Sequence, residues 1–150
     1  MLSKIRALKE KKGFTLVELI VVLVILAILA ALLVPALTGY IDRANNQKVI
    51  ATTRQVVMAA QTCTSEAYGT TSAGTVVTGA LDEDSTPKLS DVVKLAEIST
   101  DGTNYKNGIT EVVVNISDKG VVTSVEVTQS GRKCTYTEST GTYTVDPATT

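Results

Sequence analysis

Residues 14–34 read FTLVELIVVLVILAILAALLV. Twenty-one residues coil into a helix of about 30 Å, enough to cross a hydrocarbon core. Lipid cannot hydrogen-bond exposed peptide groups, so a helix is the form this stretch takes in a membrane despite its many Val and Ile residues. One ionisable group interrupts it, Glu18, four residues after Phe14. A carboxylate at that depth is costly unless it reaches the interface or meets a cation.

The flanks set an orientation. Lys4, Arg6, Lys9, Lys11 and Lys12 precede the apolar run, against a single Glu10. The positive-inside rule keeps that end in the cytoplasm and sends the rest of the chain outward. After Gly13 the balance reverses, with nine basic against fourteen acidic residues. No basic field remains to attract phosphates, so no nucleic-acid contact is expected. The chain has no His, which removes a His general base, a Ser-His-Asp triad and a His-ligated metal centre. An ordinary cleaved secretory signal fits poorly. The apolar stretch is too long for its core, and Pro35-Ala36-Leu37 follows instead of a small-x-small site.

Lys11-Lys12-Gly13-Phe14-Thr15-Leu16-Val17-Glu18, then an unbroken apolar run and Pro35, resembles the N-terminal signature of type IV pilins and their pseudopilin relatives. The resemblance implies a basic leader over residues 1–13, removed by a prepilin peptidase that cuts between Gly13 and Phe14. It implies N-methylation of the new Phe14 amine and polymerisation into a helical filament with the apolar helices at its centre. It further implies an inner-membrane assembly platform and minor pilins as partners, beside other copies of the chain. The subunit would sit in the cytoplasmic membrane before assembly and at the cell surface after it, as a pilus pilin or as a pseudopilin of type II secretion or DNA uptake. Cleavage also creates a cation. The Phe14 amine of one subunit can meet Glu18 of a neighbour, and such a donor–acceptor contact is heterologous and open-ended, the symmetry of a filament.

Beyond the span, Val49, Val56, Ala60, Cys63 and Ala67 fall on one helical stripe. The helix is therefore expected to run from about Phe14 to about Tyr68, with a kink at Pro35; a helix end at Pro35 is the alternative. Residues 14–34 form its transmembrane half and 35–68 its amphipathic half. Residues 69–150 form a globular head. There, Gly69 to Pro87 reads as a surface loop carrying Asp82-Glu83-Asp84, a solvated cluster or part of a calcium site. Ser90 to Ile98 reads as a short helix with Ser90 as N-cap. From Ile109 the period becomes two: ITEVVVNIS, a turn at Asp118-Lys119-Gly120, VVTSVEVTQ, a turn at Ser130-Gly131-Arg132, then CTYTEST and GTYTV. This is an antiparallel meander of three or four strands with Val112, Val114, Ile116, Val125 and Val127 facing one way. Laid on the helix stripe it makes an α+β fold, a long N-terminal helix packed against a small C-terminal antiparallel sheet.

Cys63 and Cys134 both fall outside the membrane, and a disulfide between them is expected, with two buried thiols as the alternative. Pilins often carry a disulfide near the C-terminus, but one end of this pair lies in the long helix. No cofactor is expected. Two other classes compete with a filament subunit. A membrane-anchored binding module would keep residues 1–13. An enzyme on a membrane stalk would rely on Asp82, Glu83, Asp84 or a Cys63 nucleophile, with no His to assist.

Overall fold

The computed structural model describes residues 13–70, 79–99 and 101–146. The leader expected at residues 1–13 lies outside them except for Gly13, as does the 71–78 part of the expected loop. The elements in chain order are α1 (Leu16–Thr70), β1 (Gly79–Ala80), α2 (Leu89–Leu95), β2 (Ile109–Ile116), β3 (Val122–Gln129), β4 (Arg132–Thr137) and β5 (Thr142–Asp146). The chain divides into two compact units, one up to Ile41 and one from Asp42 onward.

In the first unit Pro35 stands inside α1 and does not end it. Proline has no N–H for the Ala31 carbonyl, and three residues on the Thr38 hydroxyl donates to the Pro35 carbonyl at 2.9 Å. Every side chain from Gly13 to Ile41 is exposed. This is the one described helix long and apolar enough to cross a membrane.

In the second unit the remainder of α1 lies against a five-stranded sheet of order β1-β2-β3-β4-β5, each strand antiparallel to its neighbour in sequence. The helix buries Val49, Thr52, Thr53, Val56, Val57, Ala59, Ala60 and Thr64. Three of these are threonines that the apolar stripe did not include. Each hydroxyl donates to the carbonyl four residues back: Thr52 to Lys48, Thr53 to Val49 and Thr64 to Ala60. The polar atom is satisfied within the helix and the methyl is left to pack. Conversely Cys63 and Ala67 are only half-buried.

The sheet meets the helix with Val112, Val114, Ile116, Val125, Val127 and Cys134. Ile109 and Val122 also point inward although they break strict alternation. Register shifts between Ile109 and Glu111 and between Asn115 and Ile116 insert the extra residue that turns them. The β3–β4 hairpin closes through Ser130 and Gly131, both at positive φ (53° and 74°), the primed turn that suits the twist of two antiparallel strands. At the opposite end Gly120 has φ +70°, and the Tyr68 ring lies so close that a Cβ there would sit 2.6 Å from its Cδ2. The Tyr68 phenol donates to the Asp118 carbonyl at 3.4 Å. The last turns of α1 are thus clasped to the β2–β3 turn.

Two local expectations are corrected. The helix at Ser90 starts at Leu89 with Lys88 in the N-cap position and no side-chain cap. Ser90 lies in the first turn, and its N–H donates to Glu83 Oε1 at 3.1 Å. The expected surface loop contains a short strand, β1, paired to Ile116 and Asn115, and Leu81 beside it is buried. A two-residue strand leaves no periodic trace in a Thr-, Ser- and Gly-rich stretch.

Candidate functional site

Gly13, Phe14 and Thr15 are not helical; α1 begins at Leu16. Among the described residues, a Cβ built on Gly13 meets nothing within 4 Å. The fold itself therefore has no need of glycine at this position. Phe14 is 81% exposed, so the Gly13–Phe14 bond sits in open, non-helical chain next to an unpacked ring.

Thr15 and Glu18 form a capping box. The Thr15 N–H and hydroxyl donate to Glu18 Oε2 at 2.9 and 2.8 Å. The Glu18 N–H donates to the Thr15 hydroxyl at 3.3 Å. Amides that a helix start leaves without partners are satisfied in this way. The carboxylate is held back along the helix toward its N-terminus, with Oε1 outside the arrangement. The sequence marks Glu18 as an acid that either reaches the interface or meets a cation, and leaves Thr15 unmarked. The Thr-x-x-Glu spacing directly before an apolar run was the signal that could have found it.

The two thiols stand apart from each other. Cys63 and Cys134 are free in the structure, so the expected bridge is not formed. The Cys134 sulfur lies against the Thr53 hydroxyl. Cys63 comes ten residues later on the same helix, about 15 Å further along its axis, whereas a disulfide needs Cα atoms within about 7 Å. Burial pushes both thiols up; at Cys63 the negative charges of Glu66 and Asp91 add to it, and at Cys134 the Thr53 hydroxyl and Arg54 oppose it. A thiol with raised pKa is a poor nucleophile at neutral pH.

The acidic triplet does not converge either. Asp82 Oδ1 accepts from the Asp84 N–H at 3.0 Å, and Glu83 is occupied with Ser90. Among the described residues no cluster of His, Cys, Asp or Glu is arranged to hold a metal ion.

The start of α1 is a short non-helical segment and a capping box abutting a helix long and apolar enough to cross a membrane. Residues 8–34 match the family model described as the prokaryotic N-terminal methylation motif, the class III signal of type IV pilins. No curated protein and no solved structure matches the chain. The match ends at Val34, and the head lies wholly outside it.

Proposed function

We propose that the chain is a structural subunit of a type IV pilus or pilus-like filament. It is made as a prepilin, cut after Gly13, N-methylated at Phe14 and polymerised through its apolar helix. The observation that carries this reading is the methylation motif joined to a helix whose side chains are all exposed from Leu16 to Ile41. Such a helix needs lipid or other copies of itself to cover it. A glycine that the fold does not require, beside a bond in non-helical chain, suits close approach by a peptidase. In this reading Glu18 stays capped by Thr15 and presents its free oxygen to the methylated amine of the next subunit. The basic leader stays inside, the head goes outside, and the prepilin peptidase, the assembly platform and minor pilins act on the membrane-held precursor. The chain performs no catalysis of its own.

A pseudopilin of a secretion system shares this chemistry. The acidic balance after Gly13 offers no attraction to phosphates, which sets the DNA-uptake reading below both. The test is the intact mass and first residue of the protein from cells, with electron microscopy of sheared surface material. A methylated Phe14 terminus and thin fibres containing the chain are expected. Retention of residues 1–13 together with an absence of fibres would leave a membrane-anchored binding module in its place.

A further inference from the structure

Asn107-Gly108 is the one Asn-Gly pair in the chain. It fills the two central positions of a tight turn from Lys106 to Ile109, closed by the Ile109 N–H donating to the Lys106 carbonyl at 3.1 Å. Both residues have positive φ, 58° at Asn107 and 76° at Gly108, the primed geometry for which Asn-Gly is the favoured sequence. A side chain at position 108 would be strained by that φ, and its Cβ would lie 3.2 Å from Ser130 Oγ. The fold therefore places glycine after asparagine for reasons of shape. The same order leaves the Gly108 nitrogen unshielded, because no side chain stands beside it. Both residues are exposed, and among the described residues the Gly108 N–H has no acceptor.

The oxygen of that same peptide group is closely attended. The Asn107 carbonyl accepts from Gln129 Nε2 at 3.0 Å, and Lys48 Nζ stands 3.5 Å from it. Gln129 is buried, and its Oε1 lies 3.0 Å from the Thr52 hydroxyl, so its amide is held with the donor end toward the Asn107 oxygen. When the Gly108 N–H loses its proton, peptide resonance carries the negative charge onto this oxygen. A fixed donor and a cation beside it favour the anion.

We propose that Asn107 is a site of self-deamidation promoted by Lys48 and Gln129. The Gly108 nitrogen gives its proton to solvent base and attacks Asn107 Cγ. The N–Cγ bond forms, the Cγ–Nδ2 bond breaks, and the side-chain nitrogen takes a proton from water and leaves as ammonia. Water then opens the cyclic imide at one of its two carbonyls. Attack at the main-chain carbonyl of Asn107 puts the oxyanion on the oxygen that Gln129 and Lys48 already face, so this route is favoured. It breaks the original peptide bond to Gly108 and leaves the chain running through Cβ and Cγ, as isoaspartate. Water is the only co-reactant. The turn gains one main-chain atom, and the head gains one negative charge beside Lys48.

The test incubates the detergent-solubilised full chain in mildly alkaline buffer. Ammonia release and peptide mapping give the rate, and electron-transfer fragmentation distinguishes isoaspartate from aspartate. Asn107 is expected to convert severalfold faster than Asn45, Asn46, Asn104 and Asn115, with isoaspartate as the main product. Lys48→Met and Lys48→Gln are expected to slow the conversion severalfold and to lower the isoaspartate share, while Lys48→Arg keeps both. The Lys48 side chain is exposed, so the melting temperature should be unchanged in all three. In urea the folded geometry is lost, and wild type and Lys48→Met should convert at one rate. Conversion of Asn107 no faster than that of the other asparagines overturns the proposal. So does a folded-state rate indifferent to Lys48→Met and Lys48→Gln, or an equal slowing by Lys48→Met in urea, since the ammonium would then not act through the Asn107 oxygen.

Discussion

Gly120→Ala is expected to unclasp the head at one end. Two costs combine at this position. Alanine at φ +70° carries left-handed strain of about 1–2 kcal/mol. The new methyl would also lie 2.6 Å from Tyr68 Cδ2, and forcing a methyl into filled space costs about 1–3 kcal/mol. If the ring swings aside instead, its packing on the turn and its bond to the Asp118 carbonyl are lost. The total is about 2–5 kcal/mol. Gly131→Ala is the internal control: its φ is +74°, but its Cβ meets nothing within 4 Å, so only the strain of about 1–2 kcal/mol applies. At about 4–8 °C per kcal/mol for a unit of this size, Gly131→Ala lowers the melting temperature by roughly 5–15 °C, and Gly120→Ala by clearly more. The measurement is thermal unfolding of the detergent-solubilised full chain followed by circular dichroism. Adding Tyr68→Ala to each variant completes a double-mutant cycle, and coupling should appear with Gly120→Ala alone. Equal effects of Gly120→Ala and Gly131→Ala, with no coupling to Tyr68, would refute the clasp.

Gly13→Val should leave the precursor uncut, since a branched side chain replaces hydrogen beside the scissile bond; intact mass reads it directly. Glu18→Ala should insert, be cut after Gly13 and keep a folded head, yet yield no fibres by electron microscopy in the absence of wild-type chain; normal fibres would remove Glu18 from assembly. Non-reducing peptide mapping should find no link between Cys63 and Cys134. Because burial and nearby acids raise the Cys63 pKa, less thiolate is present at any given pH. Its alkylation at pH 8 should therefore trail that of the unfolded chain, and equal rates would contradict the burial.

The parts of the fold that were legible are those where one property recurs at a fixed period. Val112, Val114 and Ile116 alternate cleanly, and the run from Phe14 to Val34 is apolar throughout but for Thr15 and Glu18. What escaped was polarity cancelled locally. Thr52, Thr53 and Thr64 are core residues whose hydroxyls bond their own helix, and no hydropathy pattern registers that. The cysteine pair failed for a different reason. Facing the same core does not fix the level along a helix, and ten residues of rise separate Cys63 from the site where Cys134 packs. At the start of α1 the acid stood out because it was the one charge in an apolar run. Its partner Thr15 did not, because threonine at a helix start is unremarkable until the spacing to Glu18 is counted.

The uncovered helix from Gly13 to Ile41 bears on supply. In the proposed filament, a chain with that segment would have two places to reside, a bilayer or a bundle of its own kind, and no dissolved state between them. Its chemical potential would then be set by how densely copies crowd a two-dimensional sheet of lipid, not by a concentration in water. Growth of such a fibre would draw down that surface density at its base. A subunit leaving it intact would have to do so where lipid can take it, and a fragment broken off far from the cell would have nothing to equilibrate with.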